Sequence, residues 1–166
     1  MKVRRLTLTA LFSVLLIASA WISIPLPFSP VPLTLQSFVV LLLPVVVKPS
    51  LAIHATLLYL LLGVLGLPVF ANYRAGLDVL VGPTGGYLMG FLVAQAFIGY
   101  AKGPLFVRLC GAQALIYLCG VSWLAYVLQL SLLSAVLLGL APYLITDVIK
   151  VIAVLTLAPR LKTLSV

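Results

Sequence analysis

The sequence predicts an all-α membrane protein: one domain over residues 1–166, a bundle of six transmembrane helices with both termini on the cytoplasmic side. Three observations carry that expectation. The chain is 64% hydrophobic and 7% charged. Its ten basic and two acidic residues are too few to give a soluble core of this size a charged shell, a shell that lipid makes unnecessary. The basic residues stand singly between apolar runs, as in loops at a cytoplasmic membrane surface.

The spans follow in order. The first covers 6–24 and stops at Pro25. Ala18-Ser19-Ala20 resembles a signal-peptidase site behind Lys2, Arg4 and Arg5. A first spanning helix with its N-terminus inside is preferred, because the rest of the chain is equally apolar. Pro25, Pro27, Pro30 and Pro32 then require an extended segment. A short second span covers 35–47, Lys48-Pro49-Ser50 turns the chain, and the third covers 51–65. A polar-rich connection runs over 66–83. The fourth span is 84–101, closed by Lys102-Gly103-Pro104, and the fifth is 105–120. Residues 122–140 read equally as an interfacial helix or as part of a long bent sixth span. The last helix begins near Pro142 and ends before Pro159.

Charge tests the orientation. With six spans and the N-terminus inside, Lys2, Arg4, Arg5, Lys48, Lys102, Arg108, Arg160 and Lys162 lie at the inner side, and Arg74 lies outside. An odd number of spans would put Arg160 and Lys162 outside. The proline segment, the 66–83 connection and the start of the last helix then share the outer side. Irregular backbone at membrane depth needs protein around it or a cavity beside it, so the outer half is expected to hold a pocket.

Several function classes lose ground on these residues. The net charge of +8 lacks the clustered Lys, Arg and aromatic face of a nucleic-acid binder. Cys110 and Cys119 fit neither a CxxC nor a zinc spacing and are read as small buried packing residues. His54 is read as a polar residue near a helix end. Asp78 and Asp147 are the only acids, and no hydrolytic triad, carboxylate pair or metal cluster is visible. An enzyme is not expected, nor is a cofactor.

Asp147 and Lys150 are the sharpest feature. Each charge costs about 2.5–3.5 kcal/mol at mid-membrane on insertion scales. Three residues apart, they share a helix face and partly neutralise one another. They either form a purely structural ion pair or point into the pocket, where the carboxylate accepts ligand N–H groups and the ammonium meets a ligand oxygen. Residues 82–87, GPTGGY, open the fourth helix without the GK[ST] ending of a P-loop. Gly85 and Gly86 either admit a ligand close to backbone or serve a tight turn and small-residue packing. Thr34 and Gln36 either donate to a ligand or cap the second helix. Arg74 either meets an anionic ligand group or faces water.

Four stretches together resemble one family. Residues 24–36 (IPLPFSPVPLTLQ), 59–70 (YLLLGVLGLPVF), 82–91 (GPTGGYLMGF) and the Asp147/Lys150 pair are similar, in that order, to the signature of the BioY family. BioY proteins are biotin-specific S components of energy-coupling factor (ECF) transporters. The resemblance implies a six-helix S-component fold in the cell membrane with biotin bound near the outer surface. It also implies a transmembrane T subunit and cytoplasmic ATPase subunits as partners; a homo-oligomer stays open. By similarity, Asp147 and Lys150 match the family's ring-binding pair, Gln36 matches a polar position at the pocket mouth, and Tyr87 or Tyr143 supplies an aromatic wall. The family's connection before GPTGG is usually Gly-rich, and some members place an asparagine there; here Asn72 or Arg74 stands in. Some members carry an arginine after the GGY tyrosine, where this chain has Leu88, so Arg74 is expected to meet the valerate carboxylate instead. The series of small residues on the first helix, Ala10, Val14, Ala18, is interrupted by Val14 and supports T-subunit docking only weakly. An S component for another small vitamin, or a structural membrane protein without a ligand, are the competing readings.

Overall fold

The computed structural model describes residues 2–161, side chains from residue 3. The described residues form eight α-helices and one β-hairpin. Helix α1 (Lys2–Trp21) leads into strands β1 (Ser23–Leu26) and β2 (Ser29–Thr34), then α2 (Gln36–Val46) and α3 (Pro49–Val64). A 3-10 turn (Ala71–Tyr73) and the short α4 (Leu77–Val81) occupy the next connection. Helices α5 (Gly85–Tyr100), α6 (Leu105–Leu128) and α7 (Leu132–Gly139) follow, then a 3-10 turn (Ala141–Tyr143) and α8 (Leu144–Leu161).

Three stretches are long and apolar enough to cross a membrane: Val3–Trp21, Leu105–Leu128 and Leu132–Leu161, the last with its helical start interrupted by the second 3-10 turn. The apolar α2, α3 and α5 are shorter. Burial is inverted along α8. Ile145, Val148, Ile149 and Ile152 are exposed, while the charged Asp147 is buried. Water would reverse that arrangement; lipid favours it.

The proline segment is extended as expected, and its strands pair. Ser23 faces Thr34 and Leu26 faces Ser29 in an antiparallel hairpin whose register breaks between Ile24 and Leu26, at Pro25. Proline has no N–H for a ladder, so a two-stranded ribbon with open edges is where such a sequence can pair. The first helix consequently ends at Trp21, three residues before the predicted stop at 24.

Three further boundaries differ from expectation. Helix α6 runs eight residues past the predicted end at Gly120. Gly120 is not a terminator: a Cβ there would lie 2.3 Å from the Tyr87 ring, so the glycine makes room for that side chain inside the helix. The helix ends at Gln129, which adopts the left-handed conformation (φ 52°), with the Leu130 amide donating to the Ala125 carbonyl, 3.0 Å. Residues 122–140 are therefore not one interfacial helix, and from Leu132 they belong with α8 to one long apolar stretch, Leu132–Leu161, bent at the second 3-10 turn. They hold the end of α6, a sharp cap, and α7, whose N-cap Ser131 accepts from the Ser134 amide. Finally, Pro159 sits within the last turn of α8, and the helix continues to Leu161. Lys162 lies outside the described residues.

Polar bonds and glycines join the helices. Ser13 of α1 donates to the Ala55 carbonyl of α3, 2.8 Å, and Thr56 of α3 donates to Gln95 of α5, 2.9 Å. Helices α5 and α6 approach closely because Gly86 lies against Trp123 and Gly90 against the Ile116 backbone. A Cβ on Gly85 would stand 1.7 Å from the Leu80 carbonyl oxygen, a backbone atom of α4 that cannot step aside. Gly85→Ala is therefore expected to destabilise the folded protein by about 1–3 kcal/mol. Thermal unfolding in detergent tests this; an unchanged Tm would contradict the tight α4–α5 junction. For GPTGG, then, small-residue packing is the alternative that the structure realises.

Candidate functional site

Asp147 and Lys150 lie one turn apart on α8, with Lys150 Nζ 2.7 Å from Asp147 Oδ1. Their side chains are 8% and 12% exposed. A buried pair survives only when its remaining hydrogen-bonding positions are also met. Here two other helices meet them. From α6, Gln113 Nε2 (2.8 Å) and the Tyr117 hydroxyl (2.5 Å) both donate to Asp147 Oδ2. From α2, Ser37 Oγ accepts from Lys150 Nζ at 2.8 Å. The charges thus bind α2, α6 and α8 to a common point.

This centre forms one wall of a cavity. An acid lobe of about 410 Å³, counted to its open mouth, is lined by Ser37, Gln113, Tyr117, Tyr143, Asp147 and Lys150 among others. A loop lobe of about 560 Å³, counted the same way, is lined by Gln36, Tyr59, Asn72, Arg74 and Thr84 among others. Val31, Pro32, Thr34, Tyr87 and Phe91 line both, so the lobes adjoin across Tyr87, Phe91 and the second hairpin strand.

Asp147, Lys150, Thr34, Gln36, Asn72, Arg74, Tyr87 and Tyr143 each line one lobe or the other, with differing freedom, while Gly85 and Gly86 line neither. Tyr87 and Tyr143 offer rings rather than hydroxyls. The Tyr87 hydroxyl donates to the Gly139 carbonyl, 2.7 Å, and the Tyr143 hydroxyl is held by Ser29 Oγ, 2.8 Å, and by the Val31 carbonyl. Ser29 in turn donates to the Leu138 carbonyl, 2.8 Å, which fastens β2 to the end of α7. Gln36 is buried, 3% exposed, and its Nε2 has no partner among the described residues. Neither Gln36 nor Thr34 caps α2, whose N-cap Leu35 has no side-chain bond. The Tyr59 hydroxyl beside the same lobe is likewise without a partner. Asn72 is exposed and left-handed (φ 57°); its Oδ1 accepts from Ser23 Oγ, 3.0 Å, which ties the 3-10 turn to β1. Arg74 is paired with Asp78 at 3.0 Å, both exposed.

Gln113, Tyr117 and Ser37 were not anticipated from the sequence. The available signal was Gln113 and Tyr117 four residues apart on an otherwise apolar helix, hence on one face. His54 is exposed and bonded to the Ser50 carbonyl within α3, as expected of a residue near a helix end. Cys110 corrects the sequence reading: it is exposed on α6, not buried, while Cys119 is half-buried beside Gly90. A small apolar side chain facing lipid costs nothing that burial would recover.

The BioY family model matches residues 1–165. The chain belongs to the BioY family. A BioY relative from Thermotoga maritima, named a biotin transporter, is 40% identical and covers 98% of each chain. A second from Pyrococcus horikoshii, named a probable biotin transporter BioY, is 37% identical with the same coverage. Among solved structures, the crystal structure of an S-component for biotin from an ECF-type ABC transporter matches with a TM-score of 0.85. The two are 25% identical, over 98% of this chain and 92% of that one. The BioY chain described here is thus a membrane protein with the S-component fold.

Proposed function

We propose that the chain binds biotin and mediates its uptake across the cytoplasmic membrane as the substrate-specific subunit of an ECF transporter, with a transmembrane T subunit and cytoplasmic ATPases as partners. The observation that carries this is the buried Asp147–Lys150 pair facing a polar lobe inside an apolar bundle, in a chain whose named relatives are biotin transporters. A charged pair of this kind suits a cyclic urea, which brings both donors and an acceptor. The valerate tail then extends past Tyr87 and Phe91 into the loop lobe. There Arg74 can exchange Asp78 for the ligand carboxylate at little cost, since an exposed pair contributes about 0–1 kcal/mol.

Six spans, with both termini inside, complete the proposal. The alternation of α1, α2, α3, α5, α6 and α8 supports it, because it gathers Lys48, Lys102, Arg108 and Arg160 at one end and the hairpin and Asn72–Arg74 at the other. Arg108 also donates to the Ile98 carbonyl in the last turn of α5, where a cation is favoured.

Calorimetric titration of the purified protein in detergent tests the function. Saturable biotin binding is expected, with no competition from thiamin, riboflavin or niacin. A folded, monodisperse sample that binds no biotin overturns the proposal, and binding of another of these vitamins in its place selects a different S component.

A further inference from the structure

We propose that Gln113 determines specificity for the ligand's ring, its side-chain oxygen accepting one ureido N–H while Asp147 accepts the other. This rests on the biotin reading above. The orientation of the Gln113 amide is fixed by chemistry. Its neighbour at 2.8 Å is a carboxylate oxygen, which can only accept, so the NH₂ group must face Asp147. Oε1 therefore points away from it. That oxygen is buried and has no partner among the described residues, on a side chain only 8% exposed that lines the acid lobe.

An inventory of unused positions gives the ligand's pattern. Asp147 Oδ2 already takes two donors, from Gln113 and Tyr117. Oδ1 takes one, from Lys150, and keeps one lone pair. The Lys150 ammonium has spent two of its three N–H groups, on Asp147 and Ser37. The charged pair keeps one acceptor, Asp147 Oδ1, and one donor on Lys150 Nζ, and Gln113 Oε1 adds a second acceptor; the Ser37 hydroxyl hydrogen and the second Gln113 N–H are further donors. A cyclic urea offers two N–H donors and one carbonyl acceptor. Gln113 Oε1 is the acceptor in this lobe that is buried with no partner at all among the described residues, and it completes the match to the second ring N–H. Asp147 and Lys150 by themselves offer the ring one acceptor and one donor, one acceptor short of its two N–H groups. A glutamate at 113 would repel Asp147, and an apolar residue would lose both the donor to the acid and the acceptor to the ligand.

Biotin and its two mono-N-methyl ureido derivatives, titrated against wild type and Gln113→Met, provide the test. In wild type each methylation is expected to weaken binding tenfold or more, because each N–H has its own acceptor. Gln113→Met is expected to weaken biotin binding tenfold or more. For the derivative methylated on the nitrogen that faces Gln113, the variant should lose at least fivefold less affinity than it loses for biotin, because only the effect through Asp147 is left. An equal loss for all three ligands would mean that Gln113 acts only by holding Asp147, and would overturn the inference. So would wild type that tolerates methylation of either nitrogen, a result that needs no variant to fold. Wild type that binds none of the three overturns the biotin reading and this inference with it; wild type that binds biotin and fails the other comparisons overturns this inference alone.

Discussion

Asp147→Asn is expected to raise the Kd for biotin by about 100-fold or more, a loss of about 3 kcal/mol. The change keeps the shape of the side chain and removes its charge. It also replaces one acceptor oxygen by an NH₂ group, and every position around Asp147 is a donor. Lys150 faces Oδ1; Gln113 and Tyr117 face Oδ2. Whichever way the new amide turns, its NH₂ meets at least one of them. If the NH₂ takes the Oδ1 position, the ring N–H of the ligand loses its acceptor. If it takes the Oδ2 position, Gln113 must swing and the lobe changes shape. Both outcomes reach the ligand, so the loss should appear in affinity more than in fold. Calorimetry in detergent, with circular dichroism to confirm helicity, separates the two. A change in Kd below threefold would place the ligand elsewhere.

The acid centre was legible because charge inside an apolar helix is costly, and Asp147 and Lys150 stand out against Tyr143–Val154 for that reason alone. The connections were legible through proline and glycine: Pro49 begins α3, and the prolines at 25–32 fall in an extended hairpin. What failed shares one cause. In lipid, the outer face of a helix is as apolar as the inner face, so burial leaves no 3.6-residue rhythm to read. The end of α6 could not be found from Gly120, since that glycine serves the Tyr87 ring across the helix interface. Nor could Cys110 be distinguished from a buried residue, because it faces outward among exposed Phe106 and Val107. Gln113 and Tyr117 were visible as polar residues, but their partner lies on α8, thirty or more positions away. Only the packing of α6 against α8 gives them a role. Arg74 illustrates the converse: its charge was conspicuous, yet Asp78 one turn on already engages it.

Lys150→Met is the variant that separates a ligand site from an internal strut. Removing the ammonium leaves the Asp147 carboxylate buried with its strongest partner gone, which is expected to destabilise the protein by about 3–5 kcal/mol. Gln113 and Tyr117 still donate to it, but they are neutral, and Ser37 loses its donor. Adding Asp147→Asn removes the uncompensated charge. The double variant should recover most of that stability, because a buried pair replaced by neutral groups of similar volume is often no less stable than the original. Biotin binding should not recover, since neither the ring carbonyl nor the ring N–H regains its charged partner. Thermal unfolding and titration on the same three preparations give the answer. Stability and binding that return together in the double variant would make the pair a structural element of α8 and move the ligand out of the acid lobe. Stability that returns while binding stays lost is the pattern expected of a site whose charges are kept, at a cost to the fold, for what they hold.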